Sequence, residues 1–314
     1  MNKIIIKIAA VFAIVFLCDR VIAFIFEKYI FEKTIAKGNV TYLLKRKTNI
    51  DFIIMGTSRA EFQFNPGLLT AINGEGYNAG ASGAGNVLYV SLLIDIMINA
   101  KIVPKTLLLQ LDAIGFVKEV TNKELIPLYP FYDLSPKLQL YTRGLGLPER
   151  FKLLFKMYRF NGQVPGIISN FVRAKQTAYY NGFVASPDVF DTTKRRTLPY
   201  PENVSENFIE ARLTALNSIF EQCQENHIKL FIVFPPTYNN NVYRQQDHLR
   251  LLQYIRSKST EPIIDMADVR KFKDLQSNIN WKDANHMNNI GATKFCNYLN
   301  DSLMQYRAST MKPN

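Results

Sequence analysis

The stretch Asp51-Phe-Ile-Ile-Met-Gly-Thr-Ser-Arg59 decides the class of fold. Its first five residues are short and mostly apolar, and a glycine ends the run. That pattern predicts a buried strand over 51–55 that delivers Ser58 to a tight turn at its carboxyl end. In open α/β sheets, ligands bind at that end. Similar runs predict strands over 76–78, 106–111, 229–234 and 262–264, with helical patterns at 86–100, 205–227, 243–258 and 289–307. Strands alternating with helices call for parallel strands, crossover helices and a sheet covered on both faces, a three-layer α/β domain spanning 51–307. Residues 308–314 are left as a tail.

The interval 116–201 breaks the alternation, crowding aromatic, proline and basic residues such as Tyr129-Pro-Phe-Tyr132 around helical patches at 149–160 and 167–178. An interval of this length reads as an inserted helical subdomain or lid rather than a loop. Its aromatic residues could meet a membrane, a partner or the substrate, or could simply pack over the sheet.

At the other end of the chain, residues 8–18 are uninterruptedly apolar, with Ile4 to Ile6 before them and Val21 to Phe26 after. A helix over residues 4–26 rises about 1.5 Å per residue and is long enough to cross a bilayer. Lys7 can snorkel at one end, and Asp19 and Arg20 can pair near the other. The segment 1–27 therefore reads as an uncleaved signal-anchor, followed by a stalk over 28–50. A buried amphipathic helix is the bland alternative. A cleaved signal peptide would need small residues at its end, and Val15-Phe-Leu-Cys18 is too bulky for lipoprotein processing. Counting basic residues, Lys3 and Lys7 before the span against Lys28, Lys33, Lys37, Lys45, Arg46 and Lys47 after it favours a cytoplasmic bulk. A short basic start before an apolar core instead behaves as an export signal, and on that ground the bulk is placed outside the cytoplasm.

With 314 residues, 47% of them apolar and 20% charged, the chain can bury a sizeable core. A formal charge of +12 suits anionic lipid headgroups, cell-wall polymers or acidic polysaccharides. No basic motif with interleaved aromatics points to nucleic acid. Cys18 lies in the apolar span, and Cys223 and Cys296 fall on predicted helices, which is no disulfide framework. No Cys/His cluster has zinc-ligand spacing, and no cofactor is expected.

Ser58 is a poor nucleophile unless a base lies within hydrogen-bond reach and donors await the oxyanion. Trp281-Lys-Asp-Ala-Asn-His286 offers both a base, His286, and a carboxylate three residues earlier, Asp283, that can hold the imidazole tautomer. His227, between a helix and a strand, suits a surface or capping role, and His248, in a polar run, is expected to be exposed. Between these ends, Tyr77-Asn-Ala-Gly80-Ala-Ser-Gly-Ala-Gly85 follows the second strand, and Gly80 could join the Ser58 amide as an oxyanion donor. The bland alternatives are a helix N-cap for Ser58 and a polar turn before the last helix for Asp283 and His286.

In their order and placement these blocks resemble the SGNH (GDSL-like) hydrolase superfamily. Gly56-Thr57-Ser58 matches its nucleophile block, Asn78-Ala79-Gly80 its glycine block and Asp283-Ala-Asn-His286 its Asp-x-x-His block. The apolar N-terminus and Gly-Thr-Ser-Arg-Ala further resemble a membrane-anchored branch similar to teichoic-acid D-alanylation and alginate O-acetylation proteins. The resemblance implies a flavodoxin-like sheet with Ser58 as nucleophile, His286 as base and Asp283 as orienting acid. It also implies an acyl-serine intermediate, a cell-surface glycan or acylated polymer as substrate, and a membrane-bound O-acyltransferase as partner. Arg59, Asn78 and Asp112 are expected to contact substrate. The family's Gly-x-Asn-Asp block is missing. Leu107-Leu-Leu-Gln-Leu-Asp112 stands there, and an ionised Asp112 would repel an oxyanion. Two other outcomes follow from the same blocks: a catalytically inactive module that binds an anionic or acylated polymer or scaffolds the acyltransferase, and a secreted lipase-like hydrolase.

Overall fold

The computed structural model describes residues 2–33, 43–44, 50–117, 122–172, 179–194, 207–240 and 244–310. Residues group into two compact units: Met1–Ala36 with Leu125–Gln176, and Lys37–Glu124 with Thr177–Asn314.

The larger unit is an α/β domain around a five-stranded sheet. Its strands are β1 (Phe52–Met55), β2 (Gly76–Asn78), β3 (Thr106–Gln110), β6 (Lys229–Phe234) and β7 (Ile263–Asp265), in the order β2-β1-β3-β6-β7. Every pair is parallel, with Ile53 opposite Tyr77 on one side and Leu107 on the other. β4 (Tyr179–Tyr180) and β5 (Phe183–Val184) form a separate antiparallel hairpin. The helices of this unit are α2 (Ser58–Gln63), α3 (Val87–Asn99), α7 (Glu210–Glu225), α8 (Gln245–Lys258) and α9 (Asn289–Thr310). The smaller unit holds α1 (Asn2–Ile25), α4 (Pro136–Arg143), α5 (Leu147–Leu153) and α6 (Val164–Val172).

Successive side chains of a strand face opposite ways. Phe52, Ile54, Leu108, Phe231 and Val233 therefore share one face, where they pack with Ala60 and Phe64 near α2 and Phe295 and Leu299 of α9. Ile53, Met55 and Leu107 turn the other way, towards Ile94 and Met97 of α3, and α7 packs on α3. Because helices cover both faces, the central strands read as continuous apolar runs with no polar alternation. All four β1 residues are buried.

The edge strand β2 is capped by the hairpin: the Asn78 amide donates to the Asn181 carbonyl at 2.7 Å. Asn181 and Gly182 form its turn with φ of 44° and 87°, a geometry that favours Asn-Gly. This shortens the expected 116–201 insertion at its far end, since Phe183 and Phe190 belong to the core under the sheet. Of that interval, Leu125–Gln176 groups with the N-terminal helix in the smaller unit.

Within the smaller unit, Lys3–Phe31 is one helix of 29 residues, long and apolar enough to cross a membrane. It continues α1 through a π-helical stretch, Phe26–Phe31. Asp19 and Arg20 do not pair with each other as expected. The Asp19 carboxylate accepts the Lys156 and Met157 amides at 2.7 and 3.0 Å, and Arg20 donates to the Leu154 carbonyl at 2.6 Å. The expected stalk falls largely outside the described residues, as do 173–178 of the second helical patch and residues 311–314 of the tail.

Candidate active site

β1 ends at Met55, and the chain turns through Gly56 and Thr57 into α2, whose first residue is Ser58. The helix cap is Thr57, whose hydroxyl accepts the Arg59 amide, so the bland capping role read for Ser58 falls one residue earlier. Gln110, at the end of β3, fixes this turn: its Oε1 accepts both the Thr57 amide at 2.8 Å and the Thr57 hydroxyl at 2.9 Å. As the first residue of a helix, Ser58 has an amide with no partner inside that helix.

His286 arrives from a pinched loop. Trp281 and Met287 form an antiparallel bridge, and the Lys282 amide donates to the His286 carbonyl at 2.9 Å. Inside the loop, Asp283 Oδ1 accepts the Asn285 and His286 amides at 2.8 and 3.0 Å. The loop is anchored from below by Trp281, fully buried, whose indole N–H donates to the Leu275 carbonyl. On its far side, the Asn288 side chain accepts the Ile290 and Gly291 amides and caps α9. The result is a line of three groups. His286 Nε2 lies 2.7 Å from Ser58 Oγ, and His286 Nδ1 lies 2.9 Å from each Asp283 carboxylate oxygen. Phe62 packs on the imidazole with ring centroids 5.2 Å apart, and the Lys282 ammonium sits over the other partner of that contact, the Phe62 ring, at 4.0 Å.

Burial opposes the Asp283 charge, but the hydrogen bond and charge of His286 and the two backbone amides outweigh it, holding the carboxyl below the usual carboxylate range. Glu61, one turn into α2, goes the other way. Its burial dominates over the hydrogen bonds from Ser82 and raises its carboxyl.

The remaining candidates are placed differently from expectation. Asn78 is fully buried. Its Nδ2 donates to the Ala60 and Phe64 carbonyls, and its Oδ1 accepts the Gly80 amide at 2.8 Å. It therefore ties β2 to α2 rather than reaching a substrate, and the Gly80 N–H proposed for the oxyanion is already engaged. Arg59 is 6% exposed; it pairs with Asp112 at 2.5 Å and donates to the Pro235 carbonyl. Burial opposes the Asp112 charge, but Arg59 prevails and holds that carboxyl below its usual range. These two residues thus neutralise one another. They line a small cleft shared with Pro235, Thr237, Arg244 and His248. His248 is not exposed: it is 3% accessible, with Nε2 2.9 Å from Asp265. His227 is exposed at the end of α7, with φ of 54°.

Sequence reasoning passed over Gln110, Gln63 and Glu61. Gln63 is fully buried and donates to the Pro236 and Asn285 carbonyls, joining α2 to the His286 loop. Nothing in the local pattern marks a polar residue that acts across the fold in this way.

The chain matches no protein-family model, and no curated protein matches it.

Proposed function

We propose that this chain is a membrane-anchored serine esterase or O-acyltransferase of SGNH type, with a flavodoxin-like domain outside the cytoplasm that acts on a cell-surface glycan or acylated polymer. The observation that carries the reading is the unbroken line from Ser58 Oγ through His286 to Asp283, at 2.7 and 2.9 Å. It lies at the carboxyl end of the parallel strand β1, where sheets of this class bind ligands. The apolar N-terminal helix supports the anchor.

In this reading His286 takes the Ser58 proton as the hydroxyl oxygen attacks the acyl carbonyl. The ionised Asp283 stabilises the imidazolium and keeps Nε2 turned to serine. The Ser58 amide faces the developing oxyanion. His286 then returns the proton to the leaving alkoxide, giving an acyl-Ser58. Water or a sugar hydroxyl, deprotonated by the same imidazole, releases the acyl group by the reverse sequence. A membrane-bound O-acyltransferase would supply the acyl donor.

The engaged Gly80 amide favours a second reading, a slow or inactive module that binds an acylated or anionic polymer or scaffolds that partner. Losing one oxyanion donor costs about a hundred- to a thousandfold in rate. The test is intact-mass spectrometry of the full-length protein after exposure to a fluorophosphonate. One adduct that disappears in Ser58→Ala and in His286→Ala is expected. A folded protein that takes no label moves the weight to the binding module.

A further inference from the structure

The smaller unit contains a second apolar surface, distinct from the exposed face of α1. Around α5, Leu147, Phe151 and Leu154 are 76%, 52% and 52% exposed. The Phe151 and Phe155 rings lie against Phe12, with centroids 5.9 and 6.0 Å away, and Phe155 also meets Phe16 at 5.9 Å. Phe12 stands seven residues before Asp19 on α1, about 10 Å along the axis at the helical rise. Whatever touches Phe12 shares its depth. If α1 crosses a bilayer, Phe151 and Phe155 lie below the level of Asp19, among the acyl chains.

The polar contacts of this segment point the same way. A helix end leaves carbonyls and following amides without partners, and in hydrocarbon these must be satisfied by protein. Here Arg20 takes the Leu154 carbonyl and Asp19 takes the Lys156 and Met157 amides. Water would serve these groups at an ordinary surface. An acid and a base spent on backbone from within an apolar helix make sense where water is scarce. Arg150 is exposed beside the apolar side chains, and its long side chain can snorkel up to anionic headgroups, whereas Lys152 pairs with Glu149 at 3.6 Å.

We propose that residues 147–157 form a wedge that enters an acidic bilayer beside the N-terminal span, with Asp19 and Arg20 sealing its backbone. The chain would then grip the membrane at two places. The wedge rests on the reading of α1 as a membrane span, and the test separates the two. Full-length protein carrying Cys18→Ala is reconstituted into phosphatidylcholine–phosphatidylglycerol vesicles with a bimane label at Ile14→Cys, Phe151→Cys or Leu154→Cys. Nitroxide-labelled lipids should remove most of the fluorescence at all three positions, and aqueous iodide should remove little. Quenching by lipid at position 14 while 151 and 154 both respond only to iodide overturns the wedge and leaves the span standing. Absence of lipid quenching at position 14 overturns the span and the wedge with it. Adding Asp19→Ala should raise iodide access at 154 severalfold with position 14 unchanged; unaltered access at 154 overturns the sealing role.

Discussion

Asp283 binds the His286 ring through Nδ1 and the His286 loop through two backbone amides. Its loss should therefore affect orientation as well as charge. Asp283→Asn should slow fluorophosphonate labelling of Ser58 by about a hundred- to ten-thousandfold, measured as a time course at fixed pH on protein with an unchanged circular dichroism spectrum. The Arg59–Asp112 pair is a structural counterpart to this one. Both side chains are at least 87% inaccessible, at 8% and 13% exposure. Arg59→Ala leaves a buried carboxylate unpaired and should cost about 3–5 kcal/mol in urea denaturation. Acid should have a related effect. The folded-state pKa of Asp112 lies below the unfolded value of about 3.9. Its stabilisation is thus fully present above that value and is lost as pH falls through the folded one. Urea midpoints recorded from neutral pH to pH values below about 4 should fall less steeply in Asp112→Asn than in the parent chain.

At the scale of elements, the loop carrying glycines is held against the nucleophile turn with little clearance. Ala81 donates its amide to the Gly56 carbonyl at 3.0 Å, and a Cβ on Gly85 would stand 1.8 Å from that same oxygen. Gly85→Ala must push the loop off the turn, and overpacking of this kind costs about 1–3 kcal/mol. Thermal unfolding should show the loss, and Ser58 labelling should slow because the displaced backbone is the one next to the serine. The strands and long helices were legible because their apolar runs end at glycine or polar clusters. The hairpin at 179–184 was missed although Asn181-Gly182 between Tyr180 and Phe183 carries a hairpin-turn signal, because its strands are only two residues each. The 116–201 interval was read as one insertion, whereas its chain serves two units. Aromatic crowding looks the same whether it packs beneath a sheet or against a lone helix.

For the molecule as a whole, the apolar helix and the charge of +12 make different predictions about membrane attachment. Attachment by charge is screened by salt, whereas a spanning helix is not released by it. Full-length protein should stay with membranes through high-salt and alkaline washes and leave only with detergent, and removal of residues 1–26 should free it; release by salt alone would sink the anchor. By itself the sequence determined the alternating strands and helices, the apolar N-terminal helix, and the placement of Ser58 at a strand end with Asp283 and His286 in one turn. All of these depend on residues close together in the chain, where periodicity and spacing record them. Tertiary structure alone decided that Arg59 faces Asp112, that the Asn78 side-chain amide reaches the Ala60 and Phe64 carbonyls, that Gln110 holds Thr57, and that Asp19 and Arg20 serve the backbone of residues 154–157. Such partners are chosen by burial: a polar group removed from water takes whichever acceptor or donor the packed chain brings within reach, and local sequence carries no record of that choice.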